Sequence, residues 1–158
     1  MTNPVGGFTK LVRPAIAVSL AAYTDGDVIG GAIELPKAMR HAGSSGVLQT
    51  LVMTDAAEQD AGLEVFLFDE EPDGTYTDAA AFTLDAADLP KLLGTLTVAT
   101  ASWASFGGAA RVKVDGIGLP VKAAKGQTSL WMVLVASGST PDYAATDDLQ
   151  AVFGFLQD

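Results

Sequence analysis

The chain has 158 residues, with 19 Asp and Glu against 9 Lys and Arg, one His and no Cys, for a formal net charge of −10. This balance excludes disulfides, Cys-based metal sites and His clusters, and it disfavours nucleic-acid binding, which draws its affinity from clustered Lys and Arg. No run of 18 apolar residues offers a membrane-spanning helix, and Met1 to Gly7 shows no secretory signal pattern.

Residues 1–9 hold few core-forming side chains and two adjacent glycines. They predict an extended N-terminal arm, free in isolation or ordered against a partner, ahead of one β-domain over residues 10–158. Thr24-Asp25-Gly26-Asp27 marks a turn before a strand with Val28 and Ile29, and His41 to Gly46 reads as a flexible connection. Val47-Leu48 with Leu51-Val52-Met53 is apolar on both faces. Leu63 to Phe68 alternates, placing Leu63, Val65 and Leu67 on one side. Glu71-Pro72-Asp73-Gly74 predicts a turn, with Pro presetting φ and Gly permitting positive φ.

One short helical turn is expected over 85–93. Asp85 caps it, Asp88 imitates a capping box, Pro90 limits its length and Gly94 ends it. Beyond it, Leu96 and Val98 alternate with threonines, and Arg111-Val112-Lys113-Val114 alternates charge with valine. Gly107-Gly108, Asp115-Gly116 and Lys125-Gly126 predict further hairpins. Leu130 to Val135 and Val152 to Leu156 are again apolar on both faces. Such runs predict central strands covered on both sides, or strands whose outer face meets another subunit. About eight strands at this spacing favour an all-β antiparallel sandwich or barrel.

Charge is unevenly spread along the chain. Residues 55–90 carry eleven acidic groups and no basic one, whereas 91–125 carry five basic groups against Asp115 alone. Solvated loops explain this simply; an acidic surface meeting a basic one on a neighbouring subunit explains it more sharply.

Groups for chemistry are few. His41 lies beside Ser44 and Ser45, but a general base needs a hydroxyl in reach and an orienting carboxylate. Asp69, Glu71 and Asp73 followed by Gly74 start like a calcium loop, yet Ala80 stands where its bidentate Glu belongs. The expected state is therefore an acidic, solvent-exposed hairpin loop. Trp103 and Trp131 are scattered and read as core or interface packing. Neither Gly30-Gly31 nor Gly107-Gly108 fits a phosphate-binding pattern.

The order of several short elements carries a resemblance. They are Arg13-Pro14, Ala22-Tyr23-Thr24-Asp25-Gly26-Asp27-Val28-Ile29-Gly30, and Leu67-Phe68-Asp69-Glu70-Glu71-Pro72. Thr77-Asp78-Ala79-Ala80-Ala81-Phe82, Leu84 to Leu89, Leu130-Trp131 and the final Leu156-Gln157-Asp158 follow. From Leu11 to Asp158 the chain resembles small virion structural proteins of tailed bacteriophages, the capsid decoration or cement proteins. It departs from their pattern at Ala79, where Asn is expected, and at Trp131, where Tyr is expected.

The resemblance implies a jelly-roll-like β-sandwich with no catalytic role and no cofactor. It implies a protein on the outer capsid surface of a virion, bridging neighbouring major capsid protein subunits and pairing with itself as a dimer or trimer. Neither nucleic acid nor membrane is an expected partner. Phe8, Lys10, Arg13, Trp103 and Trp131 are the expected interface residues. Two other classes stand beside this one: a carbohydrate- or receptor-binding module, as in an adhesin, neck or tail component, and a glycosidase using paired carboxylates.

Overall fold

Alternating side chains build ten strands in a computed structural model that describes residues 8–157. They are β1 (Phe8–Val12), β2 (Val28–Leu35), β3 (Ser45–Asp55), β4 (Leu63–Phe68) and β5 (Leu92–Val98). β6 (Ala104–Ser105), β7 (Ala110–Val114), β8 (Leu119–Lys122), β9 (Leu130–Ala136) and β10 (Leu149–Gln157) complete them. All pairings are antiparallel. One sheet runs β1-β10-β3-β7-β6, with the short β8 also pairing β3; the other runs β2-β9-β4-β5.

Setting aside the short β6 and β8, eight strands remain in the orders β1-β10-β3-β7 and β2-β9-β4-β5. The chain passes repeatedly from one sheet to the other, the double Greek-key wrap of a jelly roll. The fold is thus an all-β sandwich.

The main core lies between the sheets. Leu48, Leu51, Met53, Phe153 and Phe155 of one sheet meet Leu63, Val65, Leu67, Met132 and Leu134 of the other, all fully buried. Each buried Leu or Phe stabilises the fold by about 1.5–3 kcal/mol in area terms. Past β1 the period of two continues without a ladder. Val12, Pro14, Ile16 and Val18 point in and Leu11, Arg13, Ala15 and Ala17 point out, as the chain crosses from one sheet towards the other.

Several expectations change in detail. The 3₁₀ turn covers Ala86–Lys91, and Leu92 and Leu93 already belong to β5. Gly94 therefore lies inside a strand and does not end the helix. Of the predicted hairpins, only Gly107-Gly108 closes one, between β6 and β7. β7 and β8 lie along successive halves of the 11-residue β3, and β8 and β9 belong to opposite sheets. Phe8 and Thr9 join β1, while the rest of the expected arm, residues 1–7, lies outside the described residues.

Candidate interaction face

The two sheets differ in how their outer faces are treated. In β9 and β4, Val133, Val135 and Phe68 point away from the main core yet are buried. Residues 71–85 cover them. This connection between the paired strands β4 and β5 alternates like a strand: Pro72, Tyr76, Phe82 and Leu84 turn inward and Glu71, Asp73, Thr75, Ala79, Ala81 and Asp85 outward. Phe82 packs on Phe66 and Tyr76 with centroids 4.5 and 5.7 Å away, closing a second small core. The expected exposed hairpin loop is therefore a covering layer, and the alternating carboxylates are its solvent side.

Asp88 ties this layer to the 3₁₀ turn. Its carboxylate is fully buried and accepts from the Asp73 N–H at 2.6 Å, the Gly74 N–H at 3.0 Å and the Tyr76 hydroxyl at 2.7 Å. It does not act as a capping-box partner; Asp85 caps the turn through the Ala87 N–H at 2.8 Å. Burial pushes the Asp88 carboxyl up, but these donors and the Lys91 ammonium outweigh it and hold it below the ordinary carboxylate range. Burial first, then the bond to Asp88, pushes the Tyr76 hydroxyl up to about 12. Gly74 serves close approach and not positive φ: a Cβ there would sit 2.8 Å from both Asp85 Cβ and Asp88 Oδ2.

Lys91 reaches one of the carboxylates that resembled a calcium loop, Asp73, together with two others beside them. Its ammonium lies 3.0 Å from Asp73, 3.5 Å from Glu70 and 3.9 Å from Asp88, and donates to the Glu71 carbonyl at 2.9 Å. The cation in this cluster is a side chain of the protein. Among the described residues no three His, Asp or Glu side chains converge as metal ligands.

The first sheet has no such cover. β10, β3 and β1 present Val152, Val52 and Leu11 outward, and Leu11 and Leu156 remain 51% and 41% exposed. Alongside, β7 and β8 present Arg111, Lys113, Pro120 and Lys122, all exposed. No outward strand position on this sheet carries a carboxylate; Asp115 and Asp147 lie just beyond the strand ends. An open apolar strip beside a basic one is the form of a protein–protein contact surface.

Family models, curated proteins and solved structures were compared with the chain, and none matches.

The expected interface residues fall in different places. Arg13 is exposed and lines a cleft of about 440 Å³ at the edge of the open face, with Val52, Thr54, Gln150 and Val152. Lys10 pairs with Phe155 by register and is half-buried. Phe8 is exposed, with the Arg40 guanidinium 3.9 Å from its ring centroid. Trp103 packs on the main core and donates to the Ala61 carbonyl at 2.9 Å. Trp131 packs on the second core and lines a shallow cleft with Ala32 and Glu34. Trp131 is level with Phe68 at one end of β4 and Trp103 sits beyond the other end, on the order of 20 Å apart at the strand rise. They form no common platform.

His41 is exposed on its loop, and the Ser44 hydroxyl accepts from the His41 backbone N–H at 3.2 Å. The face residues that sequence reasoning missed are Leu11, Val52, Arg111, Lys113, Val152 and Leu156. Their signal was present in two-sided apolar runs, which left open whether the chain covered itself.

Proposed function

We propose that this chain is a non-enzymatic virion structural protein. It decorates the capsid of a tailed bacteriophage and stabilises it by bridging neighbouring major capsid protein subunits. The observation that carries this reading is the uncovered face of the β1-β10-β3-β7 sheet, apolar on one half and basic on the other. The resemblance from Leu11 to Asp158 supplies the virion context, because a fold alone names no function. A jelly roll with two closed cores is a rigid support for broad non-covalent contact, which cementing a shell requires. The separation of Trp103 from Trp131 gives the glycan-binding alternative no aromatic platform.

The test compares particles assembled with and without this chain. The proposal expects the chain in gradient-purified particles at many copies each, and release of packaged DNA at a lower temperature from particles lacking it. Absence from the particles, or an unchanged release temperature, would overturn it.

A further inference from the structure

The two sides of the sandwich carry opposite charge. Residues 69–91, which build the covering layer and its 3₁₀ turn, hold seven acidic groups against Lys91 alone. The opposite face presents Arg111, Lys113 and Lys122, with Arg13 at its edge. Polarity along the sequence has become polarity across the molecule.

We infer that the open basic and apolar face docks on the acidic covering layer of a second copy of this chain, head to tail. The inference rests on the reading of the chain as an assembly component and names the first partner of that same face. Charge complementarity selects the occupant. Arg13, Arg111 and Lys122 have no ion-pair partner among the described residues, and Lys113 has only Asp115, in an exposed pair at 3.0 Å. Two open faces set together bring strand cations against strand cations or over the apolar strip, and never against a strand carboxylate, since no outward strand position there supplies one.

The covering layer supplies both halves of the complement. Glu71, Asp73 and Asp85 project from it, and between them lie exposed Ala79, Ala81 and Leu89 for the apolar strip of Leu11, Val152 and Leu156. Such a contact is heterologous, and because the two faces lie on opposite sides of the sandwich it repeats as an open stack, whose end copy keeps its open face for another partner.

Sedimentation velocity on the full chain tests this. Association is expected in about 50 mM salt, with a dissociation constant at least ~10-fold weaker near 500 mM as the charges are screened. R111E/K113E is expected to stay monomeric, and so is E71K/T75K, on two exposed positions of the covering layer. All four substitutions sit on exposed or half-exposed side chains, and carrying all four in one chain is expected to restore the oligomer. A wild-type chain that remains monomeric at low salt would overturn the inference, as would association indifferent to these reversals or a combined variant that is not rescued. Should the wild-type chain be monomeric while R111E/K113E falls off the particles, the face meets an acidic capsid surface; the inference fails and the proposed function stands. Should the chain associate through these two faces but be absent from particles, the inference stands and the proposed function fails.

Discussion

Tyr23 donates its hydroxyl hydrogen to Asp78 Oδ1 at 2.7 Å, joining residues 55 positions apart. The Gly30 N–H reaches the same oxygen at 2.7 Å, and the Ser19 N–H donates to the Tyr23 oxygen. Two elements that the resemblance picked out separately, Ala22 to Gly30 and Thr77 to Phe82, thus meet at one carboxylate. That point anchors the covering layer to β2. Burial first, and then Asp78, pushes the Tyr23 hydroxyl well above its ordinary value.

Tyr23 and Tyr143 give a paired prediction. Their rings lie edge to face at 6.1 Å and both are buried, but the Tyr143 hydroxyl has no hydrogen-bond partner among the described residues. Tyr23→Phe removes a bond to a charged acceptor and is expected to cost about 1.5–3 kcal/mol. Tyr143→Phe removes an unsatisfied polar group and is expected to gain about 1 kcal/mol. Urea unfolding of the two variants checks both signs.

Ala79 is the departure from the expected Asn, and the structure gives that position a φ of +60°. The left-handed region costs an alanine about 1–2 kcal/mol, whereas Asn and Gly adopt it readily. Ala79→Asn is therefore expected to stabilise the chain by about 0.5–1 kcal/mol, read as a raised melting temperature.

Asp88 carries the largest predicted loss. Asp88→Ala strands two N–H donors and the Tyr76 hydroxyl in a buried site, and is expected to cost about 3 kcal/mol or more. Hydrogen exchange in 71–85 is expected to rise before the inter-sheet strands open, because the layer depends on this knot.

The pH dependence has two opposing slopes. Asp88 is held below the ordinary carboxyl value of 3.8, so the unfolded chain takes up its proton first. Its contribution is complete above that value and is lost as pH falls through the lower native one. Asp55 is fully buried and burial raises it, against bonds from the Ala57 and Gln59 N–H groups. Here the native state takes the proton first, so this contribution falls as pH rises from 3.8 through the raised value. Asp55→Asn is expected to flatten the decline on the neutral side of about pH 4, and Asp88→Asn the decline on the acid side. Difference curves of unfolding free energy against pH separate the two.

Much of the fold was legible because period-two patterns are local. Leu63 to Phe68 matches β4 residue for residue, and Arg111 to Val114 fills all but the first position of β7. The covering layer was not legible, because its inward positions include Asp78 and Gly74 as well as Tyr76 and Phe82. Whether a carboxylate such as Asp88 is buried depends on donors that only the folded chain supplies. The candidate face was half legible: parity told that Val152 and Leu156 share a side, but not that residues 71–85 cover the other sheet and leave this one open.

The most direct test of the central claim is a cryo-EM map of the assembled particle. The account predicts this sandwich on the outer shell, in contact with its own copies, the β1-β10-β3-β7 face against an acidic neighbour and no sandwich inside with the genome. A shell without the sandwich, or sandwiches whose open face points to solvent, would contradict it.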